Sequence, residues 1–141
     1  MEISDVKRQV AEAIERAKRA AADRRTNADE ASREYAVFLE QIAVPLFRQV
    51  ANVLNVQGYP FAVFTPGGGV RLMSERNSDD FIELSLDTAG AEPIVMGHSR
   101  RGRGRRVLES ERPVAEGPVR NLTEEQVLRF LLDELEPLVE K

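Results

Sequence analysis

Between Ile3 and Ile42 apolar and small residues recur in steps of three and four: Ile3, Val6, Val10, Ile14, Ala17, Ala21, Ala28, Ala31, Tyr35, Phe38 and Ile42. A strand alternates every two residues and cannot gather these positions, whereas a helix lines them along one narrow face. Arg24 fills the single place where the stripe is interrupted. Two arrangements satisfy the pattern: one helix from Ser4 to Val56, or a hairpin folded back between Arg24 and Asn27. Asn27 followed by Glu30 matches a capping box, which favours a turn. The three/four stepping nevertheless passes through this segment in phase, and a turn would have no reason to preserve phase, so a continuous helix is the better expectation. Ser4 is placed to cap its start, with Asp5 in the first turn. Pro45 removes the hydrogen bond to the Gln41 carbonyl and predicts a kink. Gly58 and Pro60 predict the stop.

The two halves of this segment differ in side-chain size. Tyr35, Phe38, Leu39, Ile42, Leu46, Phe47, Val50, Val53 and Leu54 are bulky enough to build a core. The first half is lined largely by alanine, which allows close helix approach but buries little area. Val6, Val10, Ile14, Ala17, Ala21, Ala28 and Ala31 are therefore read as an oligomer interface, and a homo-oligomer is expected.

After Gly58 the period changes to two. Phe61–Thr65 and Val70–Glu75 flank Pro66, Gly67, Gly68 and Gly69, a hairpin signal. Phe81–Asp87 alternates Ile82, Leu84 and Leu86 with Glu83, Ser85 and Asp87, as a strand wet on one side does. Ile94–Ser99 and Arg105–Ser110 predict two further strands around the run Arg100–Gly104. Thr123 and Gln126 form a capping box that opens a last helix, with Leu122 and Val127 placed as a hydrophobic staple. Val127, Leu128, Leu131, Leu132, Leu135 and Val139 predict its apolar face, and Pro137 its end or a bend. The expected fold is α+β: a long N-terminal helix or helical hairpin, a four- to five-stranded antiparallel meander, and a C-terminal helix packed on the sheet. It reads as a single domain over 1–141, divided into helical (1–56), sheet (57–112) and C-terminal helical (121–141) segments. This order is broadly similar to that of frataxin-like and secretion-chaperone-like proteins, a likeness of architecture that transfers no functional residue.

Candidate chemistry is sparse. The chain has no cysteine, which removes disulfides, thiolate metal sites and thiol nucleophiles, and makes a cytoplasmic setting the expectation. The start MEISDVKR lacks a signal-peptide pattern, and the purely apolar runs are short, so no membrane association is expected. His98 is the only histidine and is read as a strand-end residue near the sheet margin. Gly67–Gly69 leads into Val70 and Arg71 rather than Lys-Ser/Thr and a helix, so it is a turn and not a phosphate loop. Asp79–Asp80 and Glu124–Glu125 fall in a turn and a first helical turn, where acids are favoured without function. No catalytic residue, metal or cofactor is expected, and the chain is read as a non-enzyme.

The charge distribution supplies one functional lead. Residues 100–120 hold seven basic and three acidic side chains in a chain of net charge −4. Arg100, Arg101, Arg103, Arg105 and Arg106 repel one another and must be solvated or matched by anions. Gly102 and Gly104 would make their loop supple enough to follow a phosphate backbone. The resulting expectation is a non-catalytic, self-associating binding protein whose arginine hairpin docks an anionic partner, nucleic acid first. The alternative is a protein-interaction module, such as an adaptor, chaperone or assembly subunit, working through the helical seam.

Overall fold

The computed structural model describes residues 1–140. It contains one long helix, a five-stranded sheet and a C-terminal helix, in that order. The long helix comprises α1 (Ile3–Phe38), a π turn (Leu39–Ala43) and α2 (Val44–Val56) without a break. It does not fold back at Arg24–Asn27. Glu2, rather than Ser4, occupies the N-cap position and makes no side-chain cap.

Pro45 explains where the π turn lies. Its ring cannot accept a carbonyl packed beneath it at the normal four-residue spacing. Immediately before it, the Val44 N–H reaches back five residues to the Leu39 carbonyl, absorbing one extra residue in the turn. The buried positions record this insertion: Ala31, Tyr35 and Phe38 are followed, five residues on, by Ala43, then Phe47, Ala51 and Leu54. The extra residue lets both halves of the helix present their bulky side chains to one core.

The strands β1 (Phe61–Phe64), β2 (Val70–Ser74), β3 (Phe81–Asp87), β4 (Ile94–Arg103) and β5 (Arg106–Pro113) form an antiparallel meander in sequence order. Val70, Leu72, Ile82, Leu84 and Val95 share one face and are almost wholly buried, packed in one cluster with residues of α1, α2 and α3 (Glu124–Val139). The Tyr35 hydroxyl donates to the Leu84 carbonyl at 3.3 Å. Asn55 clips β1 at its start, donating to the Phe61 carbonyl (3.0 Å) and accepting from its N–H (3.3 Å).

The position of α3 is set by a missing side chain. A Cβ at Gly97 on β4 would collide with the Phe130 ring, so the absence of one opens the slot in which Phe130 lies. The Arg112 guanidinium covers the same ring at 4.5 Å, its Nε lies 2.8 Å from Glu134, and Ser99 donates to the other oxygen of Glu134 at 2.9 Å. The capping box of Thr123 and Gln126 is present in both directions. The buried face is Val127, Phe130, Leu131, Leu135 and Leu138, whereas Leu132 is exposed. The helix continues through Pro137 to Val139 instead of ending there.

By length and composition alone the helix Ile3–Val56 holds an 18-residue window apolar enough to cross a bilayer, with 33% of it buried against the rest of the chain. The short apolar runs of the sequence do not reveal it.

Candidate interaction surfaces: the helical arm and the arginine hairpin

The first of the two surfaces is the free part of α1. Side chains of residues 1–27 are exposed apart from the half-buried Asp5 and Ala21, so this segment projects as an arm. At 1.5 Å per residue it extends about 40 Å. Among the described residues its stripe has no partner: Ile3 is 74% exposed, Val6 44%, Val10 52% and Ile14 50%. Ala17 is exposed and Ala21 and Ala28 are half-buried. Ala31 lies in the core at 7% exposure, because here the helix meets the body at the short 3₁₀ turn Val119–Asn121. It therefore offers no free surface, and the open stripe runs from Ile3 to Ala28. Ile3 extends the stripe to the tip, a position the periodicity already contained.

The arginine run does not form a loop. Arg103 pairs directly with Arg106, so β4 and β5 continue to a two-residue turn, Gly104–Arg105, with Gly104 at φ +63°. A turn this short needs glycine at its first position. Gly102 is a strand residue whose N–H donates to the buried Asp80 carboxylate at 2.8 Å. The glycines thus fix the hairpin where suppleness was expected.

Strand alternation also divides the arginines. Arg100 points to the sheet face away from the helices, opposite Glu109, with Nε 3.0 Å from its carboxylate but not aligned as a hydrogen bond. Arg101, Arg103 and Arg106 share the helix-bearing face by register. There Arg103 donates to the carbonyls of Pro137 and Glu140, satisfying the negative end of α3. Arg105 stands at the exposed turn. Among the described residues Arg101, Arg105 and Arg106 form no ion pair. The five arginines are therefore not one patch: two are engaged within the chain, Arg101 is half-buried on the helix-bearing face, and Arg105 and Arg106 stand exposed at the hairpin tip.

On the outer sheet face cross-strand neighbours build a cluster that the linear sequence does not display. Arg71 lies 4.3 Å over the Phe81 ring and contacts both Glu83 oxygens, at 3.1 and 3.3 Å. Phe81 meets the His98 ring edge-on at 5.4 Å, and His98 Nε2 is 3.9 Å from Glu109. His98 is consequently a mid-strand residue and not a strand end. Its place follows from the register of β4, which reaches four residues farther than the alternation suggested. Only the pairing of these strands could have revealed the cluster.

Asp79 and Asp80 do not act as a pair. The Asp79 N–H donates to Asn77 within the turn, while Asp80 turns inward to Gly102. Among the described residues no three of His, Asp and Glu converge into a metal-binding group. Burial, reinforced by the Glu83 carboxylate, pushes the Tyr35 phenol well above its ordinary value. That keeps it a neutral hydroxyl donor.

No protein-family model matches the chain, and neither a curated protein nor a solved structure matches it. The two surfaces alone carry the functional reading.

Proposed function

We propose that the chain is a non-catalytic binding protein that self-associates through its N-terminal arm. The observation that carries this reading is the stripe Ile3, Val6, Val10 and Ile14, exposed on a length of helix that no other described residue covers. Four branched apolar side chains aligned at helical spacing gain free energy by leaving water, about 25 cal/mol per Å² of apolar surface removed. Elsewhere the arm carries only alanine and polar or charged side chains, so this stripe holds its large apolar surface.

Light scattering of the full chain at micromolar concentration is the test. The parent is expected to have at least twice the monomer mass, and Val10→Asp with Ile14→Asp to reduce it to the monomer without loss of folded structure by circular dichroism. A monomeric parent, or an unaltered mass in the double variant, overturns the reading.

The free arginines favour a second activity of the same protein, docking of an anionic polymer at the hairpin tip with nucleic acid as the leading partner. Arg101, Arg105 and Arg106 are without acidic partners among the described residues, and Arg106 stands beside Arg103, where like charges repel. Phosphates set against them would relieve that repulsion. The logarithmic salt slope for a duplex DNA should be no more than about 2.7, at roughly 0.9 per phosphate contact, and Arg101→Ser with Arg105→Ser should flatten it. No binding at low salt would leave the arm as the sole interaction surface.

A further inference from the structure

We infer that two copies pair antiparallel along their arms, each tip lying against the root of the other, with Ile14 beside the twofold axis. This rests on the self-association proposed above and assigns its geometry.

Size complementarity supplies one reason. The outer part of the stripe carries Val6 and Val10, and the inner part carries Ala17 and Ala21. Antiparallel pairing about an axis level with Ala13 and Ile14 sets Val10 against the partner's Ala17 and Val6 against the partner's Ala21, with Ile14 beside its own copy. Each valine then faces an alanine, so through these layers on either side of the Ile14 pair the two helices keep one separation. Parallel pairing in register sets valine on valine at one end and alanine on alanine at the other, which would require the separation to change or leave voids.

Charge supplies an independent reason. Residues 1–15 hold four acidic and two basic side chains, whereas residues 16–27 hold one acidic and five basic. Antiparallel pairing lays the acidic half of each arm on the basic half of the other. It also brings Arg24, the one charged residue in the stripe, opposite Ile3 at the partner's tip, beside Glu2. Parallel pairing instead juxtaposes two basic segments and buries Arg24 against its own copy, a like-charge contact in the seam.

Length agrees with both. The exposed stretch ends where Ala28 becomes half-buried and Ala31 enters the core. With Ile14 beside the axis, each tip ends just short of the partner's body, so the overlap covers the stripe from Ile3 to Arg24.

Disulfide cross-linking tests the inference, since the chain has no cysteine of its own. Val6→Cys and Ala21→Cys are made separately in the full chain, mixed, and oxidised. Antiparallel pairing predicts that the mixture forms a disulfide joining position 6 of one chain to position 21 of the other, identified by peptide mass. Val6→Cys alone should cross-link poorly, because its two copies would lie about 24 Å apart, beyond disulfide reach. Efficient cross-linking of Val6→Cys with itself overturns the inference in favour of parallel pairing. A dimer by light scattering that gives no mixed disulfide overturns the antiparallel geometry while leaving self-association standing. A parent that is monomeric by scattering removes both.

Discussion

Gly97 shows how one missing side chain can place an element. Phe130 occupies the space a Cβ would take, and Arg112, Ser99 and Glu134 close around it. Gly97→Ala should destabilise the fold by about 1–3 kcal/mol through overpacking, read as a lower urea midpoint with an unchanged slope. Tyr35 gives a second test at this scale. Its phenol is neutral in the fold and titrates above its ordinary value, first because it is buried and second because Glu83 is near. An unfolded tyrosine loses its proton near pH 10, so above that pH the unfolded chain binds fewer protons than the folded one. The stabilising contribution is therefore complete below about pH 10 and declines as pH rises beyond it. Tyr35→Phe should flatten the alkaline decline of the thermal midpoint, and an identical decline in the variant would remove Tyr35 as its cause.

The elements differ in how openly the sequence announces them. The helical stripe is legible because period and phase are linear properties, and they carry through Arg24–Asn27 to give one helix. The capping box at Thr123 and Gln126 is legible for the same reason, being local. Thr123→Ala should cost about 1 kcal/mol, within a range of about 0.5–2, measurable by denaturant titration. The hairpin β4–β5 is legible as two strands, but the strand character of its arginine run is not, because the run resembles a loop and is made strand by pairing with residues three to nine positions away. The inner face of α3 escapes it at Phe130 and Leu132, since both fit a helical stripe and only the Gly97 slot selects between them. Of the two candidate surfaces, the arm can be read from spacing almost completely. The division of the arginines between two sheet faces cannot, because it depends on register.

At the scale of the whole molecule, the arm makes the chain long for its 15.8 kDa mass. Small-angle scattering of the paired form should give a pair-distance distribution with two maxima, one within each body and one between them. Val10→Asp with Ile14→Asp should abolish the second. A single maximum in the parent would mean that the bodies, rather than the arms, are in contact. The same arm also sets a distance. Ile14 to Ala31 spans about 25 Å of helix, so a dyad at Ile14 would hold the points where the two arms enter their bodies about 50 Å apart. A target bearing two sites at that spacing would meet the second copy at high effective concentration once the first had bound, and would be retained far longer than a target with one. The helix would then act as a ruler, selecting targets by the interval between their sites.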